Sequence, residues 1–129
     1  MSFPIFLVED EPQLRMMIET AINEVCDAKV IGTAATEIAA VSQLNDHQGD
    51  WRLAVLDLYL ESGTGFGVLD QLRPHSATSQ VIVLTNSATA ENRGRCLALG
   101  ALAVYDKTTE FDRFLDHCLR HHQQVSASA

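Results

Sequence analysis

Short unbroken apolar runs, each separated from the next by a helical pattern, constrain this chain more than any other feature. Ile5-Phe6-Leu7-Val8, Leu53-Ala54-Val55-Leu56, Val81-Ile82-Val83-Leu84 and Leu102-Ala103-Val104-Tyr105 show no polar alternation, which suits strands covered on both faces. Lys29 to Ala34, with Val30, Ile31 and Gly32, is a weaker and more polar fifth candidate, expected nearer a sheet edge. Leu14, Met17, Ile18, Ala21, Ile22 and Val25 keep helical spacing just after Pro12, a residue suited to a first helical turn. Phe111, Phe114, Leu115, Cys118 and Leu119 repeat that spacing, with Thr108 and Thr109 ahead of them as candidate caps. Thr36 to Gln48, Phe66 to Arg73 and Thr89 to Leu99 are the remaining expected helices, the last weakened by Gly94. Strand alternating with helix in this way predicts an α/β fold: a parallel sheet, right-handed crossovers and helices on both faces.

With 129 residues, 47% of them hydrophobic, the chain suits one core and one domain. The domain is expected over 1–122, with 123–129 and its Ser-Ala repeat a tail or the start of a linker. A formal charge of −8 argues against broad attraction to nucleic acid or anionic lipid. Phe3 to Val8 is broken by Pro4 and too short for a signal core, so neither export nor a membrane span is expected, and the cytoplasm is the expected compartment. Cys26, Cys96 and Cys118 lack disulfide or zinc spacing and read as small buried hydrophobes.

Each apolar run ends in a chemical group: Glu9-Asp10 after the first, Asp57 after the middle one, Thr85 after the next and Asp106-Lys107 after the last. In a parallel sheet the carboxyl ends of the strands share one edge, so these groups are expected in one crevice. Carboxylates that close repel unless some are protonated or a cation sits among them, and hard oxygen ligands favour Mg²⁺. Asp57 can then attack phosphorus, with Lys107 and the metal neutralising the phosphoryl oxygens and the Thr85 hydroxyl bonding one of them.

Glu9-Asp10, Asp57, Thr85 and Lys107, on this strand order, resemble the receiver domain of bacterial two-component response regulators, from about Phe3 to His122. The resemblance implies a flavodoxin-like doubly wound sheet of five parallel strands in order 2-1-3-4-5, flanked by five helices. It implies Asp57 as phosphoacceptor, Lys107 and Thr85 as its partners, and Mg²⁺ on Glu9 (largely through water), Asp10, Asp57 and the backbone carbonyl of Tyr59. Thr85 and Tyr105 correspond to the switch pair. The implied donor is a phosphohistidine on a sensor histidine kinase or a histidine phosphotransfer protein, and family experience sets the exposed side of the first helix against the kinase. The implied output is a protein target on the face of the fourth helix, fifth strand and fifth helix, with phosphorylation-dependent homodimerisation as another form of it. No direct contact of this domain with nucleic acid or membrane is implied. Its only catalysis would be its own Mg²⁺-dependent phosphorylation and slow autodephosphorylation.

The sequence departs from the family pattern in three places. Thr108 follows the lysine where proline is common, so a trans bond or a reshaped loop is expected, since a non-proline cis bond costs about 3 to 4 kcal/mol. Asn86 stands where Ala or Gly keeps the crevice open, and bulky Tyr59, in a glycine-rich loop, is expected to slow attack by water.

Read singly, these residues have plainer roles. Glu9-Asp10-Glu11 before Pro12 could be an acidic helix start, Asp57 a turn residue, Lys107 a loop lysine paired with Asp106, and Thr85 a strand-end bonding group. Tyr105 could be a core aromatic, a role compatible with switching. Gly63, Gly65 and Gly67 do not match a nucleotide loop. His117, Cys118, His121 and His122 read as a solvated helix end rather than a metal grip, and Arg93 and Arg95 as solvated charges. Two other functions compete: an aspartyl-phosphate hydrolase, which needs an acid where Tyr59 stands, and a degenerate, phosphorylation-independent receiver serving as a protein-binding scaffold.

Overall fold

The computed structural model describes residues 3–72 and 79–128, with side chains described as far as residue 120. In chain order the elements are β1 (Phe3–Val8), α1 (Pro12–Val25), β2 (Ala28–Ala34), α2 (Glu37–Asp46), β3 (Leu53–Leu56), α3 (Gly65–Gln71), β4 (Gln80–Thr85), α4 (Ala90–Ala98), β5 (Ala103–Asp106) and α5 (Phe111–Ser128). The strands form one parallel sheet in order β2-β1-β3-β4-β5, the expected α/β fold with the weakest strand at an edge. Helix α5 continues through Ser128, so the stretch after 122 carries helical backbone. The expected end of the third helix at Arg73 lies outside the described residues.

Alternate residues of the central strands feed two cores, which is why their sequences are continuously apolar. Ile5, Leu7, Leu53, Val55, Ile82 and Leu84 pack with Ile18, Ile22 and Phe114 of α1 and α5. Phe6, Val8, Ala54, Leu56, Val81 and Val83 pack on the other face with Leu44, Trp51, Phe66 and Leu69. The apolar stripe of α1 is broader than the sheet it covers: Ile18 and Ile22 are buried, but Met17 is 53% and Val25 49% exposed.

Pro4 lies inside β1 without breaking it. Its carbonyl accepts from Arg52 on the β3 side, and pairing with β3 begins only at Ile5, so the N–H that proline lacks falls ahead of that ladder. The register with β2 shifts between Ile5 and Phe6, which pairs Phe6 with Gly32. A Cβ on Gly32 would stand 2.6 Å from Phe6 Cε2.

Candidate functional site

Register brings the polar strand ends to one edge. Val8 pairs with Leu56 and Thr85 with Asp106. Beyond them, Glu9 N–H donates to the Ala34 carbonyl, Asp57 N–H to the Val8 carbonyl and Lys107 N–H to the Thr85 carbonyl. Among the described residues, the buried polar or charged ones are Glu9, Asp57 and Thr85. All three are at this edge.

Glu9, Asp10 and Asp57 offer carboxylate oxygens within 4.8 Å of one another. Lys107 Nζ stands 2.5 Å from Glu9 Oε1 and 2.8 Å from Asp57 Oδ2, with its side chain 8% exposed. Asp57 Oδ1 accepts from the Leu58 N–H at 2.7 Å. Burial pushes the Glu9 carboxyl above its ordinary value, opposed by the lysine and reinforced by the Asp57 charge. Burial alone would lower the Lys107 ammonium, but its bonds to Asp57 and Glu9 and their charges hold it above its ordinary value. Both groups favour the proton, Glu9 chiefly because it is buried and Lys107 because two carboxylates bond to it. A site short of positive charge, built from hard oxygen donors, fits Mg²⁺.

The acidic run at the start of α1 divides its labour. Glu11 caps the helix, accepting from Gln13 and Leu14 N–H, while Glu9 and Asp10 are left to the cluster. The two readings of this run therefore apply to different residues within it. Thr85 is 1% exposed and its hydroxyl accepts from the Ser87 N–H, the strand-end role, at a position beside the Lys107 backbone.

The loop after Asp57 is held from α2. Glu37 accepts from Thr64 N–H at 2.8 Å and from Gln71 Nε2 at 3.0 Å, and its own N–H donates to the Ser62 carbonyl. A Cβ at Gly67 would meet Glu37 Oε1, and one at Gly63 would meet Glu37 Cβ, each at 2.3 Å. A Cβ at Gly65 would meet the Asp57 carbonyl oxygen at 2.3 Å. The glycines give clearance, which their spacing could have signalled; Glu37 itself carried no signal. Tyr59 is 52% exposed, with its ring edge toward Phe66 and its hydroxyl accepting from Asn92 Nδ2 at 3.4 Å.

Several residues differ from their sequence reading. Arg93 is not a free surface charge: it donates to the carbonyls of Ala88 and Val104 and to Glu110, tying three segments together. Arg95 stacks over the Phe66 ring, 3.9 Å from its centroid. His117 is not a solvated helix end: Nδ1 lies 2.5 Å from the Tyr105 hydroxyl, and the two rings meet edge to face. The side chains of His121 and His122 lie outside the described residues. Thr108 and Thr109 do not cap α5 with their hydroxyls; their N–H groups go to Asp106 Oδ1. Cys26, Cys96 and Cys118 are buried and form no disulfide, as expected. Among the described residues, no helix is long and apolar enough to cross a membrane.

A family model described as the response regulator receiver domain matches residues 5–118. A probable C4-dicarboxylate response regulator, DctR, of Priestia megaterium is 28% identical over 112 residues, covering 87% of this chain and 48% of that protein. The chain spans about half the length of the relatives it matches in sequence. The signal receiver domain of a putative Luxo repressor protein from Vibrio parahaemolyticus superposes with a TM-score of 0.82 at 20% identity, covering 99% of this chain and 95% of that one. A CheX-CheY-BeF3-Mg complex from Borrelia burgdorferi contains a chain with a TM-score of 0.78 at 20% identity, covering 95% and 88%.

Proposed function

Because the chain belongs to the response regulator receiver domain family of two-component signalling, whose members are signalling domains that bind Mg²⁺ at an acidic pocket, we propose that Asp57 is its phosphoacceptor. The observation that carries this reading is the joining of Asp57 and Glu9 by the buried Lys107 ammonium, at 2.8 and 2.5 Å. A carboxylate oxygen of Asp57 attacks the phosphorus of a phosphohistidine. The O–P bond forms as the N–P bond breaks, and the imidazole leaves with the electron pair. Lys107 neutralises charge on the transferring group, and the Thr85 hydroxyl, which accepts from Ser87 N–H, donates its proton to a phosphoryl oxygen. Glu9, Asp10, Asp57 and the Tyr59 carbonyl would hold Mg²⁺, which supplies further positive charge there when bound.

Movement of Thr85 is then read out at Tyr105, whose ring packs on Phe114 and His117, and alters the α4-β5-α5 face for a protein target or a second copy. The proposed donor is a sensor histidine kinase or a histidine phosphotransfer protein docking on the outer side of α1, where Met16 and Met17 are exposed. The domain is proposed to end near 122 and to work in the cytoplasm, catalysing only its own phosphorylation and slow hydrolysis.

The test is treatment with acetyl phosphate and Mg²⁺ followed by intact-mass measurement. One added phosphoryl group, absent in Asp57→Asn, is the expected result. No added mass from acetyl phosphate or from a cognate kinase would overturn it in favour of a phosphorylation-independent scaffold.

A further inference from the structure

Lys107 reaches Glu9 and Asp57 from the loop between β5 and α5, and that loop is built without the proline common in the family. A lysine side chain carries about 2 kcal/mol of rotamer entropy, so the direction in which its backbone launches it governs how often the ammonium spans both carboxylates. Here Asp106 Oδ1 accepts from Thr108 N–H at 2.7 Å and from Thr109 N–H at 2.9 Å, closing the chain around Lys107. Those bonds hold the Asp106 carboxyl below its ordinary value. The Asp106 N–H donates to Glu110 Oε1, which also takes Arg93 Nη2 from α4, and the Glu110 N–H donates to the Asp106 carbonyl.

On the other side, the Thr108 hydroxyl donates to Asn86 Oδ1 at 3.2 Å. The two positions that depart most plainly from the family pattern therefore bond to each other, joining the Lys107 loop to the segment just after Thr85. Proline at 108 would have no N–H for Asp106 and no hydroxyl for Asn86.

Resting on the phosphoacceptor reading, we propose that Asp106, Thr108 and Asn86 are positioning residues for Lys107, forming a hydrogen-bonded turn that aims the lysine in place of a proline. The family's own residue is then harmful here: Thr108→Pro removes the turn's donor without restoring what a proline-built loop supplies.

The test uses the full chain and the rate of phosphoryl uptake from acetyl phosphate with Mg²⁺. Asp106→Ala and Thr108→Pro should each slow uptake about tenfold, the effect of one good hydrogen bond. Asp106→Asn, which keeps an acceptor oxygen, should remain near the parent rate. In a Lys107→Ala background the same substitutions should change nothing, since no ammonium is left to aim. A general loosening of the fold would slow both backgrounds alike, and that result, or a Thr108→Pro chain as fast as the parent, overturns the proposal. If Thr108→Pro does not fold, Asn86→Ala, Thr108→Val and their double variant replace it; coupling between them supports the turn and independent effects refute it. The Lys107 ammonium protons, observed by NMR in the unphosphorylated chain, report the same aim without any chemistry. They should be retained in Asp106→Asn and lost to fast exchange in Asp106→Ala; retention in both refutes the proposal. A parent chain that takes up no phosphoryl group while keeping this NMR pattern would overturn the phosphoacceptor reading and leave the positioning role standing.

Discussion

Gly65→Ala and Gly94→Ala make the same chemical change in two helices and should move stability in opposite directions. At Gly94, within α4, an added Cβ has nothing within 4 Å. Alanine there gains the helix-propensity difference, about 1 kcal/mol. At Gly65, the first residue of α3, the added Cβ would stand 2.3 Å from the Asp57 carbonyl oxygen and 3.1 Å from the Asp57 carbonyl carbon and Leu58 Cα. Gly65 is not among the positive-φ residues, so the objection is one of space. A carbon and an oxygen in ordinary contact stand about 3.3 Å apart, so one backbone must retreat by about 1 Å. Neither is free to do so: Asp57 N–H is bonded to Val8, Gly65 N–H to the Leu58 carbonyl, and Leu58 N–H to Asp57 Oδ1. Overpacking against fixed backbone sits at the upper end of its usual range, about 3 kcal/mol. With a urea slope of about 1.5 kcal/mol/M, the midpoint should rise by about 0.7 M for Gly94→Ala and fall by about 2 M for Gly65→Ala. Fluorescence of Trp51, the single tryptophan and 4% exposed, follows the transition. A Gly65→Ala chain whose midpoint equals or exceeds the parent's would refute the reasoning.

Tyr59→Asn removes the bulky ring two residues after Asp57, with its contact to Phe66 and its link to Asn92; the phosphorylated state should decay several-fold faster by intact mass, and an unchanged lifetime counts against shielding by Tyr59. Arg93→Ala severs the ties to Ala88, Val104 and Glu110. Because the arginine is 35% exposed, the loss should be about 2 kcal/mol, and a urea midpoint equal to the parent's would show that those bonds are not net stabilising. Burial, with the Arg120 charge, holds His117 below the ordinary 6.5, so the unfolded chain takes up this proton at a higher pH than the native state. The stability at stake is therefore intact above about pH 6.5 and is lost as pH falls from there through the lowered value. His117→Phe should flatten that part of a urea-midpoint series run from about pH 7.5 to pH 5, and parallel curves for the two chains would refute it.

The sheet and its edge were legible because the features that specify them are local. Continuous apolarity at Leu53–Leu56 and Val81–Leu84 reports burial on both faces, and the polar residue following each run needs only the parallel order to bring it to the edge. The stripe on α1 was overread, since helical spacing marks an apolar sector but not how much of it the sheet covers; Met17 and Val25 lie beyond that cover. Arg93, Glu37 and His117 were illegible for a different reason. Each is an ordinary polar residue on a helix, and what distinguishes it is a partner far along the chain: Glu110 is 17 residues from Arg93, Thr64 is 27 from Glu37 and Tyr105 is 12 from His117.

Two of those ties, from Glu37 and Arg93, hold loops that follow the strand ends, and the electrostatics of the acidic cluster supply a physical reason for the arrangement. Glu9, Asp10 and Asp57 against Lys107 leave the pocket with excess negative charge, partly buried, which disfavours the folded state. Left to relax, the two loops carrying these like charges would separate. The apolar cores on both faces fix the strands that carry these groups, but not the loops beyond the strand ends. Glu37 secures the loop after Asp57, Arg93 with Glu110 ties the loop after β4 to β5 and to the loop that follows β5, and the Glu11 cap fixes the start of α1 just past Glu9 and Asp10. Restraint of this kind keeps the oxygens close despite their repulsion, so that an arriving divalent cation or phosphoryl group meets a preorganised site. The charge that weakens the fold on its own is then the source of the differential affinity by which binding can shift it.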